Sequence, residues 1–252
     1  MGVMIYIGLD FHHFSDAGME NKRPHIFVNI AASADGKIDT IVRRGAQISS
    51  PDDWERVDRL RASSDAIMVG GKTLVSEDPR LEIKSEILRL QRIKLGKPEN
   101  PIKVAVVSQA DFREESRFLN RSGSRVIIFT TRQTPASLKS KFEQVGAELY
   151  VLGENRVDLS QAMSILYDEG IRQLMVEGGG TLISELFRLR FVDELYLYMA
   201  PLIFGGSNAP TMADGPGFER ESAIHLKLEN VSSFPDGGIL VHYIVIKGTE
   251  GG

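Results

Sequence analysis

Two stretches of the chain end an apolar run in glycines and then place a threonine at the start of a helical pattern: IMVGGKTL at 67–74 and MVEGGGTL at 175–182. Glycine after a strand lets backbone N–H groups approach a ligand closely, and the helix start behind it adds the positive end of a dipole. Both turns therefore suit a phosphate or pyrophosphate. A single such turn is explained as well by a tight strand-to-helix corner. Three consecutive glycines, Gly178, Gly179 and Gly180, cost chain entropy that turning alone does not require, and they point to ligand binding. Gly71-Lys72-Thr73 copies the end of the phosphate loop of nucleotide hydrolases, but the glycine that loop needs five residues earlier is Ala66, inside an apparent strand. The G-x-G-x-x-G fingerprint is also missing, so a dinucleotide would have to sit on a fold other than the doubly wound one.

Glu177 and Asp35 both fall at the ends of predicted strands, where open α/β sheets hold their ligands, and either carboxyl could serve as a proton donor. Each has a second reading: Asp35 as the first residue of an Asp-Gly turn, Glu177 as an acceptor for amino groups on a ligand. Arg80, next to Pro79, could anchor a phosphate through paired charge-assisted bonds, whereas Arg61 reads equally well as a solvated helix residue. Thr131 and Arg132 lie between the RVIIF run and Pro135, where a hydroxyl and a guanidinium could grip a 2′-phosphate; Arg132 also reads as a plain surface charge. His12 and His13 have no third ligand at a suitable spacing, so no metal site is expected.

The elements that must position these residues are short runs rich in β-branched residues, at 26–32, 66–70, 102–107, 125–130, 148–152 and 173–177, which read as strands buried on both faces. Ser50-Pro51-Asp52-Asp53 supplies a helix cap, a first-turn proline and first-turn acids, ahead of an apolar stripe of Trp54, Val57 and Leu60. Thr134-Pro135 opens a second helix that Gly146 ends, and Asp158 opens a third that runs to Gly170. Strands alternating with helices imply a parallel sheet. Two longer runs, 192–200 and 239–247, have no long helix between them and read as an antiparallel pair closing the sheet edge; residues 82–101 read as a long connection. The expected fold class is α/β, a mostly parallel central sheet flanked by helices with an antiparallel C-terminal edge.

The 252 residues, 42% hydrophobic and 25% charged, fit one large domain or two small ones, and the pattern favours one domain over 24–248 behind an extension, 1–23. A net charge of −4 gives no general attraction to nucleic acid or an anionic membrane. The absence of cysteine excludes disulfides, a catalytic thiol and thiolate-bound zinc. The first residues lack the basic start of a signal peptide, and a cytoplasmic address is expected.

AASADGKI at 31–38, ISSPDD at 48–53, LRASSDAIMVGGKTLVSEDPRL at 60–81, VEGGGTL at 176–182 and PLIFGG at 201–206 together resemble, in order, the motif series of the riboflavin-biosynthesis reductase domain, a member of the dihydrofolate-reductase-like superfamily. The resemblance implies that fold, NADPH as hydride donor, a small phosphorylated ribosylaminopyrimidine as substrate, and a homodimer. It implies that Thr73, Ser108 and the run Gly178, Gly179, Gly180, Thr181 and Leu182 hold the cofactor. Glu77 is implied as a further cofactor contact, at a position where the family usually has the aspartate that is one methylene shorter. The implied substrate positions are Ser50, Arg61, Leu81, Lys84 and Glu177, with Asp78 and Arg80 in the same DPRL loop. Related bacterial proteins join this domain to a zinc deaminase that needs cysteine ligands. The stand-alone chain resembles the archaeal and fungal enzymes, so the expected substrate is 2,5-diamino-6-ribosylamino-4(3H)-pyrimidinone 5′-phosphate, reduced to its ribitylamino form. The alternatives are the deaminated 5-amino-6-ribosylamino uracil phosphate, another NADPH reductase of this fold, or a non-catalytic nucleotide-binding protein.

Overall fold

A computed structural model describes residues 22–109, 115–120 and 123–247. Nine strands form one sheet: β1 (His25–Ser33), β2 (Ala66–Gly70), β3 (Ile102–Val106), β4 (Val126–Thr130), β5 (Glu148–Val151), β6 (Gln173–Gly178), β7 (Glu194–Ala200), β8 (His225–Ser233) and β9 (Ile239–Ile246). Six helices accompany them: α1 (Pro51–Ser63), α2 (Gly71–Glu77), α3 (Glu86–Lys94), α4 (Ala136–Gln144), α5 (Leu159–Asp168) and α6 (Gly180–Arg188).

The order across the sheet is β5-β4-β3-β2-β6-β1-β7-β9-β8. Strands β1 to β7 run parallel, with Val28 of β1 facing Val176 of β6 on one side and Leu195 of β7 on the other. Their apolar side chains, fed to both faces, build two cores. One gathers Val28, Met68, Ile127 and Val176 under α5 and α6; the other gathers Phe27, Ile67, Ile128 and Met175 under α1, α2 and α4. Burying one such Leu or Ile side chain contributes roughly 1.5–3 kcal/mol, which is what commits these short runs to the sheet. Because β6 enters between β2 and β1 after a detour through β3, β4 and β5, the connections change face between β2 and β6, and the C-terminal ends of these strands are the switch point at which open α/β sheets hold their ligands.

Local signals set the helix starts. Ser50 accepts a hydrogen bond from Asp53 N (3.2 Å) and Asp158 from Gln161 N (3.1 Å), as the caps read from the sequence require. The antiparallel pair is β7 with β9, but it does not close the sheet: β8 pairs with β9 outside it. The sequence hid β8 because most of its side chains, polar and apolar, face solvent. Residues 82–101 are not a bare connection either, since they contain α3, which Arg92 pins down by donating to the carbonyls of Ala62, Ser64 and Pro98. The stripe on α1 also needs correction: Val57 and Leu60 are buried, but Trp54 is 39% exposed. Residues 1–21, with His12 and His13, lie outside the described residues, and Arg23 already belongs to the fold through a bidentate pair with Asp193.

Candidate active site

The two glycine turns, 108 residues apart in their Gly70 and Gly178 starts, end on adjacent strands and touch. A Cβ built on Gly70 would stand 3.2 Å from Leu182 Cβ and 3.5 Å from Gly179 N, and one on Gly179 would stand 2.9 Å from Thr73 Oγ1. The Gly178-Gly179 peptide is cis, and Gly178 holds φ at 138°, which only glycine adopts readily. A Cβ on Gly180 would run into the carbonyl of Thr211, whose loop closes over the start of α6 through Asp214 N donating to Gly180 O (3.1 Å). All three glycines are thus demanded by close protein contacts as well. The N-cap of α6 is Gly179, with no side chain to bond the first-turn N–H groups, so these remain suited to an anion.

One residue before this turn, Glu177 receives Arg61 edge on: Nε donates to Oε1 and Nη2 to Oε2, both at 2.7 Å, while Nη1 donates to Glu82 O at 2.8 Å. Arg61 is buried, so the solvated-helix reading fails. Burial opposes the charge on its guanidinium, but Glu177, together with Asp58 and Glu82, outweighs burial and holds the group above its ordinary value. A carboxylate held this way accepts hydrogen bonds, which favours the binding reading of Glu177 over the proton-donor reading.

The proton-donor expectation for Asp35 is corrected. Its carboxylate accepts from Ser33 Oγ (2.6 Å), Gly205 N (2.8 Å) and Phe204 N (3.2 Å), and the Ser33 bond leads in holding it below the usual aspartate range. It is a turn residue that ties the end of β1 to the loop at 204–205. The carboxyl shifted into the neutral range is Glu77. Partial burial, with the carboxylates of Asp39 and Glu177 nearby, pushes it up to about 7, although the side chain still reaches solvent. Asp39, which the sequence reading missed, is buried and accepts from the N–H groups of Thr40, Gly45 and Ala46 at 2.7, 2.9 and 3.0 Å. Lys37 was also missed; it bridges to Thr211 across the cleft and donates to Ala209 O (3.3 Å). Their sequence signal was membership of a polar loop directly after a buried strand, with Lys37 inside the AASADGKI motif.

The DPRL loop is bent by two non-glycine residues in the left-handed region, Asp78 (φ 42°) and Leu81 (φ 51°). Asp78 accepts from Ser116 Oγ (2.5 Å), Arg117 N (2.9 Å) and Phe118 N (3.2 Å), which gives it a structural role in holding the loop. Leu81 is buried in the core, so it can meet a ligand only through its main chain. Arg80 and Lys84 remain exposed, and among the described residues neither has a carboxylate within ion-pair distance. Ser50 caps α1 and reaches the Tyr198–Asp236 pair.

Further along the strand ends, Ser108 and Thr181 are exposed, while Thr131 is buried and donates its hydroxyl to Ser108 O. Thr131 therefore has no hydroxyl hydrogen left for a phosphate, which corrects that assignment. Arg132 is exposed and paired with Glu154 (2.9 Å). On the far side of β1, a largely apolar cleft of about 300 Å³ is lined by Ala32, Ser33, Leu197, Met199, Thr211 and Met212 among others. Among the described residues no three His, Asp or Glu side chains gather to hold a metal, and no helix is long and apolar enough to cross a membrane.

A mostly parallel sheet with two glycine turns at its switch point and an ion-paired carboxylate beside them defines an α/β protein with a ligand-binding strand end. Its fold matches the structure of a pyrimidine reductase-like protein from Corynebacterium diphtheriae, at a TM-score of 0.78 and 24% identity over 89% of this chain and 93% of that one. The chain belongs to the RibD C-terminal domain family, which it matches over residues 24–240. It is similar to the 2,5-diamino-6-ribosylamino-4(3H)-pyrimidinone 5′-phosphate reductase of Archaeoglobus fulgidus, 44% identical over 83% of this chain and 94% of that protein. The protein of the same name from Methanothermobacter thermautotrophicus is 35% identical over 90% of this chain and 100% of its own length.

Proposed function

We propose that the protein reduces 2,5-diamino-6-ribosylamino-4(3H)-pyrimidinone 5′-phosphate to the ribitylamino compound with NADPH, as a cytoplasmic enzyme of riboflavin biosynthesis. The observation that carries this reading is the meeting of the Gly178-Gly179 turn, Thr73 and the Arg61–Glu177 pair at one strand end, in a chain 44% identical to a reductase named for this substrate. The nicotinamide supplies the hydride that reduces the sugar carbon attached to nitrogen.

This chain's residues do the rest. Uncapped N–H groups of α6 and the glycine backbone fit a pyrophosphate, and the apolar cleft beside β1 is a surface from which a flat uncharged ring would displace water. Glu177, held in place by Arg61, accepts from the amino and ring N–H groups of the pyrimidine. Arg80 and Lys84, free of carboxylate partners among the described residues, take the phosphate. Glu77, pushed up to about 7, is the carboxyl that exchanges a proton near neutral pH, when the sugar ring opens and its oxygen becomes a hydroxyl.

The homodimer belongs to this reading, and β7 does not supply its interface. That strand is apolar on both faces because it lies inside the sheet between β1 and β9. The edge strand β8 offers exposed Leu226, Leu228 and Val231 instead. Sedimentation at micromolar concentration giving one chain mass, 27.9 kDa, rejects the dimer.

The deciding experiment follows the absorbance of reduced nicotinamide with the diamino compound and, separately, its deaminated analogue. An acceptor carboxylate that pairs a substrate N–H can discriminate by as much as about 10⁴–10⁵. A clear preference for the deaminated compound overturns the substrate, and no oxidation with either overturns the enzyme.

A further inference from the structure

Trp54, the only tryptophan of the chain, stands 39% exposed in the first turn of α1. Its surroundings are not those of a stray surface aromatic. Trp54, Asp58 and Arg61 occupy one stripe of α1 at the i, i+4, i+7 spacing, and all three hold the segment 82–85 that follows the DPRL loop. Arg61 donates to Glu82 O (2.8 Å), and Asp58 accepts from Lys84 N (3.1 Å) and Ser85 N (2.7 Å). The Lys84 ammonium lies 4.5 Å from the centroid of the Trp54 ring, and Arg61 Cζ lies 5.8 Å from it. Both distances are within the range at which a ring face attracts a cation.

The charges around this stripe do not balance. Arg61 is matched by Glu177 and Lys103 by Glu82, but among the described residues Lys84 has no carboxylate within ion-pair distance. The indole is the contact that fixes its ammonium. A lysine on a flexible stem is a poor anchor until something restricts it, and an aromatic face restricts it without neutralising it. An ion pair would have cancelled the charge that an anion needs.

We infer that Trp54 is a positioning residue for substrate binding: its indole face holds the Lys84 ammonium ready for the phosphate of the substrate. The inference rests on the proposed function, in that Lys84 meets that phosphate. It predicts an effect on KM that depends on the aromatic face and passes through Lys84.

The test compares Trp54→Leu, Trp54→Phe and Lys84→Met in steady-state kinetics, with a thermal melt of each to establish folding. Trp54→Leu keeps apolar bulk but has no ring face, and should raise the substrate KM about tenfold with kcat within about twofold, whereas Trp54→Phe should hold KM within about threefold. Lys84→Met should raise KM at least as much, and the Trp54→Leu/Lys84→Met pair should lose little beyond Lys84→Met alone. Equal KM values for the Leu, Phe and parent proteins, or losses that add in full, overturn the inference. A second readout needs no turnover: the emission of the sole tryptophan, titrated with ribose 5-phosphate, should change saturably in the parent and not in Lys84→Met. If it does so in a protein that oxidises no NADPH, the proposed function fails and the role of Trp54 stands. If the parent turns over but its emission stays flat and Trp54→Leu kinetics match it, the role of Trp54 fails alone.

Discussion

Arg61 and Glu177, 116 residues apart, meet in a bidentate pair whose two N–O distances are both 2.7 Å, at the last side chain before the glycine turn. Arg61 is buried and Glu177 partly so, and removing the carboxylate strands the buried guanidinium. Glu177→Gln keeps the shape but loses the charge, and should cost about 1–3 kcal/mol of stability. It should also lower kcat/KM at least about tenfold, because the amide presents an N–H where the substrate needs an acceptor. Calorimetry and steady-state kinetics read the two effects. A variant as stable and as active as the parent removes Glu177 from the site.

Glu77 makes a pH prediction with a definite sign. Its carboxyl ionises at 4.5 in an open chain and at about 7 in the fold, so its contribution to stability is complete below about pH 4.5 and is lost as pH rises through about 7. Glu77→Gln removes that loss. The variant should gain on the parent by about 1 kcal/mol at pH 8, a figure discounted for the side chain's access to solvent, and by little at pH 5. If Glu77 carries the proton, parent kcat should also fall as pH rises through about 7, and the variant should lack that limb. Melts and kcat measured from pH 5 to 9 check both.

At the glycine turn, the contact with Thr73 decides the outcome. A Cβ on Gly179 would stand 2.9 Å from Thr73 Oγ1, so Gly179→Ala must shift the turn or the threonine. The NADPH dissociation constant should rise at least about tenfold, equivalent to about 1.4 kcal/mol. Adding Thr73→Ala should return stability but not affinity, because it removes the collision together with the cofactor contact proposed for Thr73. A folded Gly179→Ala protein with an unchanged NADPH titration contradicts the assignment.

Arg132 can favour a 2′-phosphate only by leaving Glu154, its exposed partner at 2.9 Å. Arg132→Ala should weaken NADPH severalfold and leave NADH unchanged, while Glu154→Gln should strengthen NADPH by freeing the guanidinium, about twofold to fivefold, in keeping with a weak surface pair. Titrations of both variants with both cofactors decide it, and equal effects on NADPH and NADH exclude Arg132 from the phosphate site.

What the sequence by itself determined is what local patterning controls. The buried strands β1 to β4, β6 and β7 and the caps at Ser50 and Asp158 follow from hydrophobic runs and capping chemistry, whereas β5, read as buried on both faces, is an edge strand with no buried residue. The two glycine turns were legible for the same reason, since a backbone that must turn tightly needs residues without Cβ. Strand β8 was not legible, because a solvated edge strand leaves little hydrophobic signal. Only the tertiary structure brought Gly70 against Leu182 and Arg61 against Glu177, since those contacts depend on β6 entering the sheet between β2 and β1. It also decided which polar groups stay available for chemistry. Asp35, Asp78 and Thr131 have the right types at plausible positions, yet neighbours remote in sequence consume their hydrogen bonds. Glu77 is pushed up to about 7 by desolvation and by two other carboxylates that the fold brings near it, and Trp54 stays half exposed beside the Lys84 ammonium instead of joining the core. A side chain's type is written locally, but its desolvation and its partners are set by what the fold packs around it.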